Sequence, residues 1–252
     1  MKIDLFGESV PFVLKENQHI IDFGFLDELW IGKYSNYIVP WRAIPLQSHI
    51  ASEAECKIVY ASFGDFHNWE TGKMDLSNPF CLHLLDFPGE QFAFYADYIH
   101  FHDLFANTGI FPSVIDWEAI FQPISEFKSE HSTFWVGTSS AYTPLHYDSY
   151  GVNIVAQIVG EKRWRLWKPT SYLASTDDKF FVKKRLPYEE SSIYCENSNI
   201  SSPNAPAPYL DVILKPGDIL FIPKHWWHFV ETVSIHSYSD TYRAFFHFVL
   251  FL

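Results

Sequence analysis

The chain has 252 residues, long for one ordinary domain and short for two, and 48% of them are hydrophobic, with 24 Phe, 14 Tyr and 9 Trp. That composition argues against disorder over most of the length and allows a sizeable core. The net charge of −12 disfavours a nucleic-acid partner, and Cys56, Cys81 and Cys195 lack the paired spacing of a disulfide framework or zinc knuckle, which points to a reducing, cytoplasmic or nuclear compartment.

Met1 to Phe12 mixes Lys2, Asp4 and Glu8 among its hydrophobics, so no signal for secretion is legible. Pro11 to Leu14 reads as a short strand. Gly24 to Tyr34 has helical spacing, with Phe25, Leu26, Leu29 and Trp30 on one side. Val39 to Tyr60 is mixed in pattern, Ile58 to Phe63 reads as a strand, and Phe63 to Thr71 as a short helix capped near Asp65. Met74 to Gly89 holds Pro79, Pro88 and Gly89 and reads as loop. Phe92 to Ile99 is aromatic enough for a buried strand, and His100 to Ala106 starts a helix behind it.

After about residue 130 the texture changes to strands separated by turn signals. Thr133 to Gly137, Leu145 to Asp148, Val152 to Val159, Arg163 to Lys168, Leu210 to Leu214, Asp218 to Ile222 and Trp227 to Thr232 all read as strands. Gly160-Glu161 and Pro216-Gly217 stand where hairpin turns are expected. Short strands in this number predict a mainly β fold, a jelly roll or barrel. Thr170 to Pro208 is expected to be a long insertion facing a substrate or partner. Tyr242 to Leu252 is apolar but about half the roughly 20 residues of a membrane helix, so a buried strand or a truncated end is expected and no membrane partner.

Residues i and i+2 of a strand share a face, so His146 and Asp148 can enter a barrel together while Tyr147 points away. In a chain with 12 histidines such a pair also arises by chance. A third ligand is available in His228, on the strand after Pro216-Gly217-Asp218. Two imidazoles and a carboxylate suit Fe(II), with positions left open for a co-substrate and oxygen; zinc tolerates the same set. His225, three residues from His228, faces the other way on a strand and is read as a surface residue. Trp226 and Trp227 are read as packing residues.

The motifs T-P-L-H-Y-D, N-x3-Q-x2-G-x-K-R and G-D-I-L-F-I-P-x3-W-H, in that order from Thr143 to His228, resemble the Jumonji C oxygenases. The resemblance implies a double-stranded β-helix of the cupin type with an N-terminal α/β elaboration. One domain over 1–252 is expected, with the elaboration at 1–130, the jelly-roll core at 131–252 and the insertion at about 170–208. It further implies Fe(II), 2-oxoglutarate and O2 as cofactor and co-substrates, with His146, Asp148 and His228 as metal ligands and catalytic centre. Lys162 is expected to receive the far carboxylate of 2-oxoglutarate, with Thr143 as a hydroxyl partner and Tyr95 and Asn153 as further contacts. A lysine in a closed pocket needs such a pairing charge; the other reading of Lys162 is a solvated residue beside the turn. Asn153, its face-mate Gln157 and Tyr95 read equally well as buried polar residues satisfied by hydrogen bonds.

Strict alternation from His146 puts Thr143 on the wrong face, and a bulge at Thr143-Pro144 is expected to re-aim it. Relatives follow the last histidine with a loop and a closing strand. Here T-V-S-I-H-S-Y follows Glu231 directly, so either Tyr242 to Leu252 pairs back as the closing strand or the barrel closes by a very short turn. The role of His236 stays open.

For function the resemblance implies a dioxygenase that hydroxylates a protein side chain and releases succinate and CO2. The motifs D-S-Y-G, Y-A-D-Y, R-L-P-Y-E-E-S-S-I-Y and K-H-W-W-H are similar to a branch named for association with a small heat-shock protein, which suggests such a partner. The alternatives are a catalytically weak adaptor binding a chaperone, a hydroxylase of transfer-RNA nucleosides, or a histone lysine demethylase.

Overall fold

The computed structural model describes residues 9–46, 56–74, 77, 82–109, 114–119, 132–148, 152–169, 182–185, 192–196, 206–233 and 244–249. In chain order the strands are β1 (Phe12–Leu14), β2 (Ile38–Pro45), β3 (Lys57–Ser62), β4 (Phe92–His100), β5 (Ser132–Gly137), β6 (Tyr142–Asp148) and β7 (Asn153–Gln157). They continue as β8 (Lys162–Trp167), β9 (Val182–Arg185), β10 (Ser192–Glu196), β11 (Leu210–Leu214), β12 (Ile219–Ile222), β13 (Trp227–Thr232) and β14 (Ala244–Val249). The helices are α1 (Gly24–Trp30), α2 (Phe63–Glu70), α3 (Leu82–Leu85) and α4 (Phe101–Phe105).

Two antiparallel sheets form. The larger runs β1-β12-β7-β14-β5-β4-β2-β3 and the smaller β11-β8-β13-β6-β10-β9. From β5 to β8 the chain changes sheet at every step, and it does so again from β11 to β14. This is the winding of a jelly roll. The turns at Gly160 and Pro216-Gly217 are therefore corners between sheets, not the hairpins expected: β7 lies beside β12 and β14, while β8 lies beside β11 and β13. Both corners use glycine at positive φ, +69° at Gly160 and +91° at Gly217. At Gly217 a Cβ would also stand 2.6 Å from the Gln18 side chain.

Alternation sorts the side chains into two cores. Ile44, Tyr95, Trp135, Val155, Trp164, Leu220 and Val230 fill the space between the sheets. The opposite face of the larger sheet presents Trp41, Phe94, Phe134, Ile154 and Phe221 to the aromatic side chains of α1, α2 and α4. With both faces covered, all six residues of β5 are buried. Burial of this kind contributes about 25 cal/mol per Å² of apolar surface, which is why so aromatic a chain folds around a large sheet.

Local chemistry sets the element ends. The cap of α2 is Ser62, not Asp65: Ser62 Oγ accepts from the Asp65 N–H at 3.0 Å and donates to its carboxylate at 2.7 Å. The mixed stretch after Val39 is β2, pairing with both β3 and β4. The insertion is not all loop, since it holds β9 and β10, and β10 pairs with β6. Near the C-terminus β14 closes the larger sheet between β5 and β7, as one of the two expected closures required. His236 and Cys81 lie outside the described residues.

Candidate metal centre and its pocket

The centre is built where β6 and β13 pair. His146 stands directly opposite His228 in that register, with ring centroids 4.0 Å apart. Two residues along β6, on the same face, Asp148 brings a carboxylate oxygen 3.7 Å from His228 Nε2. One ligand atom from each of the three lies within 4.8 Å of the others, and all three residues are buried. No other such group occurs among the described residues.

Both imidazoles are held from behind. His146 Nδ1 bonds Pro144 O at 2.7 Å and His228 Nδ1 bonds Trp226 O at 3.0 Å. A carbonyl oxygen only accepts, so Nδ1 carries the proton in each ring and Nε2 keeps its lone pair for the centre. Asn153 donates its side-chain N–H to Asp148 Oδ2. The carboxylate can only accept, which fixes the amide orientation. The donor set and its outer hydrogen bonds thus suit one divalent cation, Fe(II) or Zn(II).

The expected bulge is present in β6. Between His146 and Thr143 the chain takes three steps where β13 takes two, from His228 to Val230. The slip turns Thr143 to the face of His146, where its hydroxyl donates to Tyr95 Oη at 3.0 Å. Tyr95, Thr143, His146, Trp164 and His228 line a pocket between the sheets. Trp164 lies over the His228 ring at 5.9 Å.

Lys162 is 1% exposed, which rules out the solvated reading, and its Nζ lies 5.0 Å from the Tyr95 ring centroid. Strand β8 alternates, with Lys162, Trp164 and Leu166 inward and Arg163 and Arg165 outward. On the outer face Arg163 binds Asp211 through two bonds of 2.7 and 2.6 Å, and Arg165 binds Glu231 at 2.9 Å. These pairs tie β8 to both neighbours. The hydrogen bond from Arg163 holds the Asp211 carboxyl below the usual range.

The structure thus brings His146, Asp148, His228, Thr143, Tyr95, Lys162 and Asn153 to one region. Asn153 meets the Asp148 carboxylate. Gln157 donates to Val159 O at 2.7 Å and Gly160 O at 3.2 Å, serving the corner before β8. His225 is exposed, as expected, but for a different reason: it sits in a turn at φ +69°, before β13 begins. Trp226 and Trp227 are buried packing residues. Sequence reasoning missed Trp164 and Thr232, although alternation from Lys162 and from His228 puts both on the inner face.

The family described as a cupin-like domain matches residues 93–247. HSPB1-associated protein 1 of Mus musculus is 38% identical over 231 residues, covering 84% of this chain and 45% of that protein. The Homo sapiens protein of the same name is 34% identical over 231 residues, covering 84% and 44%. The lysine-specific demethylase JMJ30 of Arabidopsis thaliana is 31% identical over 110 residues, covering 40% and 23%. The chain spans less than half the length of these curated relatives. Among the described residues, no helix is long and apolar enough to cross a membrane.

Proposed function

The chain belongs to the cupin-like, JmjC-type domain family, and on that premise we propose that it is an Fe(II)- and 2-oxoglutarate-dependent dioxygenase that hydroxylates a protein side chain. The observation that carries this reading is the convergence of His146, Asp148 and His228 within 4.8 Å, next to a pocket that ends near a buried lysine. Once bound, Fe(II) and 2-oxoglutarate would supply oxygen activation coupled to decarboxylation, giving succinate, CO2 and a hydroxylated C–H.

The chain's own residues would do the rest. His146 and His228 would offer Nε2 and Asp148 a carboxylate oxygen to hold the ion. Lys162 supplies the charge that pairs with the far carboxylate, and Tyr95, held by the Thr143 hydroxyl, orients it. Trp164, Val155 and Val230 wall the pocket and exclude water.

A protein substrate or partner is supported by the name of the relatives, which associates them with HSPB1. The same name favours a second reading, an adaptor that keeps the barrel and binds a chaperone without turnover. Calorimetry with 2-oxoglutarate and Mn(II), an oxygen-inert stand-in for Fe(II), separates the two. Metal-dependent binding that Lys162→Ala abolishes supports the oxygenase; no binding by the wild-type chain supports the adaptor.

A further inference from the structure

We propose that Thr232 is a specificity-determining residue of the co-substrate pocket, its hydroxyl standing beside Lys162 to receive the far carboxylate. The inference rests on the 2-oxoglutarate reading above. Its position follows from register: Thr232 lies directly opposite Lys162 where β13 pairs with β8, so the two side chains share the inward face. By alternation it is also on the face of His228 and Val230, both pocket residues.

Three observations point the hydroxyl at a ligand. Thr232 is 4% exposed, yet its Oγ1 has no hydrogen-bond partner among the described residues. Buried hydroxyls are nearly always paired, and leaving one unpaired is destabilising. Of the two threonine hydroxyls here, that of Thr143 already gives its proton to Tyr95 Oη. Space is kept free beside Thr232 as well. A Cβ built on Gly137 would lie 3.0 Å from Tyr95 Cδ2, 3.2 Å from Ala141 Cβ and 3.2 Å from Thr232 Oγ1, tighter than nine in ten such contacts. Gly137 therefore leaves a cradle between Tyr95 and Thr232, at the end of the pocket where Lys162 sits. Lysine supplies the charge there, and the hydroxyl adds the direction that distinguishes a carboxylate from a bulkier or neutral end.

The test is calorimetry on the full chain saturated with Mn(II), comparing 2-oxoglutarate with 2-oxopentanoate, which has the same oxo-acid head and no far carboxylate. Thr232→Val, which keeps the shape and removes the hydroxyl, is expected to weaken 2-oxoglutarate binding about ten-fold or more. It should leave 2-oxopentanoate and Mn(II) affinities unchanged, and Thr232→Ser should restore the loss. Unchanged 2-oxoglutarate binding in Thr232→Val, or equal weakening of both acids, overturns the proposal. Failure of the wild-type chain to bind 2-oxoglutarate would instead overturn the reading beneath it, and shows before any variant is compared.

Discussion

Asn153 donates its side-chain N–H to the carboxylate of Asp148, across the corner from β6 to β7. A residue expected at the co-substrate thus supports a candidate metal ligand. Partners that orient ligands in this way typically matter ten- to a hundred-fold in metal affinity. Asn153→Ala is expected to weaken Mn(II) binding by about that factor, measured by titration, with 2-oxoglutarate affinity at saturating metal near wild type. A loss confined to 2-oxoglutarate would return Asn153 to the co-substrate.

Lys162 is buried at 1% exposure on the inward face of β8. Hydrogen bonds to charged groups contribute about 1.5–3 kcal/mol, so Lys162→Met is expected to weaken 2-oxoglutarate binding roughly ten- to a hundred-fold. Mn(II) affinity should stay within about three-fold of wild type, since lysine is no ligand in this set. Calorimetry reads both; parallel loss of metal and acid would place Lys162 in the metal centre itself.

Asp211 and Arg163 form the tie between β11 and β8 on the outer, partly solvated face. Because Asp211 is held below its ordinary range in the fold, its contribution is present above the unfolded carboxylate value and lost as pH falls through the lower folded one. Solvent screening limits an exposed pair to about 0.2–1 kcal/mol. Asp211→Asn should therefore lower stability slightly at pH 7, and urea titrations at pH 7 and at about pH 3 should show the difference shrinking with acid. A difference that grows with acid would contradict this sign.

The residues that could be read from the chain were those whose chemistry is local. His146 and Asp148 followed from alternation, while the inward Lys162 followed from the family resemblance, since the residues alone allowed a solvated lysine as well. Even the bulge beside Pro144 was legible, because Thr143 otherwise faced the wrong way. What depended on distant partners was not. Gly160 and Gly217 look the same at a hairpin as at a corner between sheets, and only the pairing of β7 and β8 with different neighbours decides. The cap of α2 went to Asp65 although Ser62, three residues before it, was the better acceptor. Thr232 carries no signature of its own, and it matters only because β13 pairs with β8 in a register that sets it against Lys162.

The central claim is that His146, Asp148 and His228 form a catalytic iron site. The most direct measurement is succinate formed from 2-oxoglutarate with Fe(II) in air, by the wild-type chain and by His146→Ala with its melting temperature checked. Succinate from the wild type and none above background from a folded His146→Ala is the expected result. Equal succinate from both would contradict it.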